Sequence, residues 1–355
     1  MSPAVAVLLL MLMVSIVPYF LPELRRRLYV PFPGFVAVRF PLKGEPVVER
    51  SKSVKLFLDG TVAVTIILML MGYTILVQSV VPQHATRTAA FVPLIPGVTI
   101  PFDLLINLLW IIAISIAVHE FLHYLASVWQ GVPVRSAGVG LLFIFPIAFV
   151  EPDEEVMMRV PSRVRARIYS AGPAANAILA ALAILVITYS VAKGIYIIKV
   201  EPGSPAWKAG LKPGDVIVKV NGVEITTLSQ LRDLIESSKV LKVTVLREGK
   251  LVTLTVYRDD RKLIGIYVLP WVPKGILSEL PAETAFAVVQ GLFWTQAINM
   301  GLAIINALPM IITDGGKLVM ELKRYKRLGW FVDVLQISTL VVFFQALLSS
   351  FAFLR

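Results

Sequence analysis

The chain has 355 residues, 57% of them hydrophobic and only 16% charged, with a mean hydropathy of +0.79. A soluble globular protein carries about a quarter charged residues, so this composition excludes an ordinary soluble fold and asks for several apolar runs of about 20 residues each. The formal charge of +11 lies in loops beside those runs, which fits the positive-inside bias and contact with the lipid bilayer rather than a nucleic-acid surface, and the absence of cysteine excludes disulfides and thiolate metal ligands.

Residues 3–21 form the first candidate span. Arg25, Arg26 and Arg27 follow that stretch rather than precede it, so a retained anchor with its N-terminus outside is expected. Residues 22–59 carry further cations, including Arg39, and read as cytoplasmic. Within them, residues 34–40 alternate weakly and read as a short surface strand. Residues 60–81 are the second span, and the loop 82–101 reads as external. Residues 103–129 are the third span, running inward. Residues 134–150 are apolar but broken by Gly138, Gly140 and Pro146. They read as a membrane-associated hairpin, which must lie against the third span because exposed backbone at that depth needs protein or a wet cavity.

Residues 171–192 are the fourth span, opening with Gly172 and Pro173 at a helix start, where proline loses no hydrogen bond. From 193 to 270 the sequence turns polar, with period-two alternation at 216–220, 242–246 and 251–257. Turns are written in Lys212-Pro213-Gly214-Asp215 and Asn221-Gly222. An amphipathic helix fits 229–238. This is a small extracytoplasmic α+β domain. Residues 284–305 return inward as the fifth span, 311–329 are basic and cytoplasmic, and 330–354 are the sixth, which puts both termini outside.

The third span contains His119, Glu120 and His123. Charged and titratable groups are costly at hydrocarbon depth and need a reason to be there. Residues i and i+4 lie one above the other on a helix, so both imidazoles point into the same space. This is the H-E-x-x-H pattern of zinc hydrolases, in which the glutamate takes a proton from water acidified by the metal. Catalytic zinc usually takes a third protein ligand. His84 lies in the external loop, on the wrong side. Asp314 follows the fifth span on the cytoplasmic side, beyond a helix-breaking Pro309, and Gly315-Gly316 would let the backbone turn sharply around it. Glu283 and Glu321 are less well placed alternatives.

Taken together, His119-Glu120-x-x-His123, Gly172-Pro173-x-x-Asn176 and Asn306-x-x-Pro309…Asp314-Gly315 resemble the site-2 protease family of intramembrane zinc metalloproteases, over residues 103–320. The resemblance implies that His119, His123 and Asp314 bind one zinc ion per chain and that Glu120 activates water. It further implies that Asn306 and Asn176 contact substrate and that the hairpin handles it. Residues 193–270 resemble a PDZ domain through Glu201-Pro202-Gly203-Ser204-Pro205-Ala206, Ala209-Gly210-Leu211 and Gly214-Asp215-Val216-Ile217. Such modules capture a peptide C-terminus in backbone N–H groups, here at Leu263-Ile264-Gly265-Ile266 or at Lys193-Gly194-Ile195; a domain that only gates access by size is the other reading.

The expected organisation is a polytopic α-helical membrane protein of about six spans with an inserted domain. Residues 1–102 hold two spans, 103–192 and 271–330 the two parts of the catalytic core, 193–270 the insert and 331–355 the last span. The expected activity is cleavage of transmembrane protein substrates at the cytoplasmic side of the cell membrane. The rival is a catalytically silent scaffold that binds peptides through the insert.

Overall fold

The computed structural model of the protein describes residues 3–42, 51–80, 99–258 and 263–352. The expected loop 82–101, with His84, lies largely outside them. Two compact units are present: Met1–Ala180 with Thr295–Arg355, and Ala181–Trp294. Among the described residues, five helices are long and apolar enough to cross a membrane: Lys52–Ser79, Phe102–Trp129, Ser162–Ser190, Ala282–Ala307 and Gly329–Leu348. The first expected span is a shorter helix, α1 (Pro3–Phe20). At 1.5 Å per residue it measures about 27 Å, just under the roughly 30 Å of a hydrocarbon core.

After α1 come α2 (Pro22–Arg27), β1 (Phe35–Pro41), α3 (Lys52–Val80), α4 (Phe102–Trp129), β2 (Val134–Leu142), β3 (Phe145–Pro152), α5 (Glu154–Arg159) and α6 (Ser162–Ser190). Two helices start earlier than the apolar runs suggest. α3 begins at Lys52 rather than residue 60, and α6 at Ser162 rather than residue 171, and charged residues that precede the apolar runs pair between the two helices. Arg163 and Arg167 of α6 both donate to Asp59 of α3, at 2.6 and 2.8 Å.

Pro173 consequently sits inside α6, not at its start. A proline there cannot donate to the carbonyl four residues back, and its ring opens the helix. Carbonyls near the proline also accept from side chains: Ile168 from His123 at 2.7 Å, and Ser170 from Thr65 of α3 at 3.1 Å.

The strand expected on the surface is part of a larger sheet. β1 pairs antiparallel with β2 from Phe35↔Leu142 to Pro41↔Ser136, and β2 pairs with β3, giving the order β1-β2-β3. The weak alternation of β1 reflects a nonlocal partner that no local pattern announces. Among the described residues β3 has no strand partner on its other edge, and it packs against α4. The N-terminal spans belong to the same unit as the rest: Leu58 of α3 is buried with Ala126, Val132 and Ile168.

The second unit contains β4 (Val191–Val200), α7 (Pro205–Lys208), β5 (Val216–Val220), β6 (Val223–Glu224), α8 (Leu228–Ser237), β7 (Val240–Arg247), β8 (Lys250–Tyr257) and β9 (Ile266–Pro273). The sheet order is β8-β7-β5-β4-β9, with β6 beside β5. The unit is longer than the polar stretch 193–270, because Val191↔Pro273 close the β4–β9 pair. Inward-facing Ile195, Ile197, Ile217, Leu241, Val243 and Val245 build its core, each contributing about 1.5–3 kcal/mol by burial. Thr227 caps α8 in a reciprocal box with Gln230.

Asp215 of this unit is buried, accepts from Lys212 N–H at 2.9 Å, and takes two 2.7 Å bonds from Arg247. Asp215→Ala strands that guanidinium and should destabilise the unit by about 3 kcal/mol. Thermal unfolding of the variant reads this directly, and an unchanged midpoint would mean the pair contributes nothing.

α9 (Ala282–Ala307), α10 (Asp314–Met320) and α11 (Gly329–Ala352) complete the chain. Leu68 of α3 is buried with Ala303, Ile304 and Ala307 of α9.

Candidate metal centre

His119 and His123 are one helical turn apart on α4, and their Nε2 atoms are 3.2 Å from each other. Asp314 Oδ2 lies 3.1 Å from both. All three residues are buried. The three atoms thus form a nearly equilateral triangle. Tetrahedral zinc with bonds of 2.0–2.1 Å has an edge of about 3.3 Å, so the triangle matches one face of its coordination shell.

The second ring nitrogens settle what the triangle presents. His123 Nδ1 lies 2.7 Å from the Ile168 carbonyl, which can only accept, and His119 Nδ1 lies 2.6 Å from Asn176 Oδ1. Both Nδ1 atoms therefore carry the hydrogen, and both Nε2 lone pairs face the carboxylate. Three acceptors aimed at one point repel one another unless a cation lies between them. The donor set, neutral imidazoles plus a carboxylate, suits zinc.

Gly172 on α6 stands directly against this triangle. A Cβ there would collide with Nε2 of both histidines. The position must lack a side chain for the metal to have room.

Asp314 reaches the site through a compact turn. α9 ends at Ala307 and Pro309 prevents its continuation. Thr313 then caps α10, its hydroxyl accepting from Gly316 N–H at 3.1 Å and donating to Leu308 O at 2.5 Å. Gly315 and Gly316 do not bend the chain, as the sequence suggests; they are helical. Their role is close approach, because a Cβ on Gly315 would run into the Ala307 carbonyl and one on Gly316 into that of Met310. Gln336 of α11 donates to Gly316 O at 3.0 Å and pins the turn from the other side.

Glu120 follows the first histidine and faces β3, where its Oε2 accepts the Val150 N–H at 3.0 Å. A cavity of about 710 Å³ opens here, lined by Glu120, His123, Val150, Tyr169, Asp314 and Lys317. On its rim, Glu151 of β3 is bound by Arg39 of β1 and Ser136 of β2. Arg135, also on the rim, donates to Asp153 at 2.9 Å, and this hydrogen bond holds the Asp153 carboxyl below the usual carboxylate range.

The other sequence candidates fall elsewhere. Asn176 stands behind His119 as its hydrogen-bond partner. The Asn306 amide donates to Leu302 O of its own helix at 3.1 Å. Glu321 is occupied by Arg165 at 2.6 Å, and Glu283 lies in the first turn of α9. In the second unit, Ile264, Gly265 and Ile266 line a groove of about 490 Å³ against Leu231 and Ile235 of α8. Lys193 and Ile195, by contrast, are inside β4, paired with Trp271 and Ile217.

Three further polar residues stand near the site without belonging to a motif: Arg39, which binds Glu151, and Ser115 and Asn299, which bond to each other at 2.8 Å beside Asn176. Arg39 looked like one cytoplasmic cation among several. Asn299 had a signal, an amide inside an apolar span, which is costly at that depth unless paired.

The family model for peptidase family M50 matches residues 107–349. An uncharacterized protein of Methanocaldococcus jannaschii is 30% identical over 252 residues, 68% of this chain and 62% of that one. A putative zinc metalloprotease of Brucella suis is 28% identical over 210 residues, 45% of this chain and 52% of that protein. A membrane-bound transcription factor site-2 protease homolog of Arabidopsis thaliana is 31% identical over 130 residues, 34% of this chain and 25% of that protein. The chain thus spans less than two thirds of the length of these relatives. The family match takes in both histidines, Glu120, Asp314 and the helices that carry them, and this multi-pass membrane chain belongs to peptidase family M50, a family of zinc metalloproteases that includes the site-2 proteases.

Proposed function

We propose that the protein is an intramembrane zinc metalloendopeptidase that cuts transmembrane protein substrates near the cytoplasmic side. The observation that carries this reading is the convergence of His119, His123 and Asp314, with Glu120 lining the same cavity. Bound zinc would polarise the scissile carbonyl and acidify a water. The Glu120 carboxylate takes the proton from that water and returns it to the leaving amine. The open edge of β3 supports a role for the hairpin. A substrate helix protects its own peptide bonds, so a segment must unwind before attack, and an unwound segment can add to a free strand edge. Loop charges support the sidedness: the metal ligands lie next to the basic segments, and the polar insert between the fourth and fifth spans lies outside.

A second reading concerns the groove beside β9. Its floor of Ile264, Gly265 and Ile266 and its wall of α8 fit a PDZ-like module that accepts a peptide C-terminus. It adds to the protease reading; alone, it would make the protein a silent scaffold.

The test is cleavage of a panel of model transmembrane segments by detergent-purified protein. Cleavage should stop with a chelator and return with zinc. No zinc-dependent cleavage of any segment would leave the scaffold reading standing.

A further inference from the structure

α9 carries, well before Asp314, a polar residue that neither the family motifs nor the metal triangle uses. Asn299 is fully buried, as is Asn176. Its Nδ2 donates to Ser115 Oγ at 2.8 Å and to Thr295 O at 2.9 Å, and its Oδ1 accepts from Asn176 Nδ2 at 2.8 Å. Ser115 lies one turn before His119 on α4 and gives its own hydrogen to Ile111 O at 2.7 Å. Asn176 Nδ2 also donates to Ser115 O at 3.1 Å. The network thus joins α4, α6 and α9 directly behind the first metal-facing histidine.

Only one arrangement of hydrogens satisfies it. Thr295 O cannot donate, so the Asn299 NH₂ group must face it, and Asn299 Oδ1 must face Asn176. Ser115 O cannot donate either, so Asn176 presents NH₂ to it and to Asn299, and Oδ1 to His119. His119 Nδ1 must then carry its hydrogen, which leaves Nε2 as the acceptor in the metal triangle. Rotating either amide by half a turn would set NH₂ against NH₂ and oxygen against oxygen at two fully buried side chains, at a cost of several kcal/mol.

We propose that Asn299 is a positioning residue of the metal centre: through Asn176 it fixes the tautomer and tilt of His119. The proposal rests on the zinc reading of the triangle. It places a third helix in the outer shell of the site, so that α9 supports the centre both through Asn299 and through the turn that presents Asp314.

The experiment is a double-substitution cycle read by zinc affinity, using chelator competition on detergent-purified full-length protein. Asn299→Leu keeps roughly the volume and removes the amide; Asn176→Leu removes the group that touches His119. Each alone should weaken zinc binding about 10–100-fold, the range for lost outer-shell partners. Combined, they should weaken it no more than Asn176→Leu does. Thermal unfolding of each variant identifies any that fails to fold. If one does, Asn299→Ser and Asn176→Ser, which cannot span the same bonds, take their places. Zinc affinity unchanged by the Asn299 substitution, or two effects that multiply, would overturn the positioning role. A wild-type protein that binds no zinc would instead overturn the zinc reading beneath it.

Discussion

Gly172→Ala should leave the protein folded and unable to hold zinc. Alanine favours a helix interior over glycine by about 1 kcal/mol, so α6 itself gains from the change. The new methyl, however, meets Nε2 of both His119 and His123. α6 has no easy retreat, because the same helix grips His119 through Asn176 and His123 through Ile168. Moving away would break both of those bonds. Zinc content should fall below a tenth of the wild-type value, with unfolding that remains cooperative. Mass spectrometry and thermal unfolding on one preparation read both. An alanine variant that keeps a full zinc complement would show that the histidines do not face the metal from the positions described.

Glu120→Gln separates chemistry from metal binding. Glutamine has nearly the same shape and can still accept the Val150 N–H, so β3 should stay in place. What it loses is the capacity to take a proton. The expected result is full zinc content and a cleavage rate lowered by about 10²–10⁴-fold. The loss should fall on kcat with KM little changed, the signature of an interaction made in the transition state. Initial rates over a range of substrate concentrations measure this. A variant within tenfold of wild type would remove Glu120 from the role of base.

The part of the site readable in the sequence was the part written at short range. Four-residue spacing puts His119 and His123 on one side of one helix, and loop charge reads Asp314 onto the side of the membrane expected for them. Close-approach requirements were not readable. Gly172, Gly315 and Gly316 look like punctuation in a string of letters, but the structure uses each because another backbone or ring lies where a Cβ would go. Pro173 misled for a related reason. Reading it as a helix start assumed that charged residues end a helix, whereas Arg163 and Arg167 continue α6 by pairing with Asp59. Long-range pairing was also invisible: nothing local in 35–41 shows that it completes a sheet beside residues 134–152, or that Arg39 reaches Glu151. The insert was legible as a domain because its alternation and turns are local, but its limits moved outward once β4 and β9 paired at Val191 and Pro273.

We propose a single metal centre assembled from His119, His123 and Asp314, the last two 191 positions apart. Zinc per chain, counted by mass spectrometry on wild type and Asp314→Ala with cleavage assayed on the same preparations, tests it most directly. One zinc per chain is expected in the wild type, and neither retained zinc nor cleavage in the variant. An Asp314→Ala protein that keeps both its zinc and its activity would contradict it.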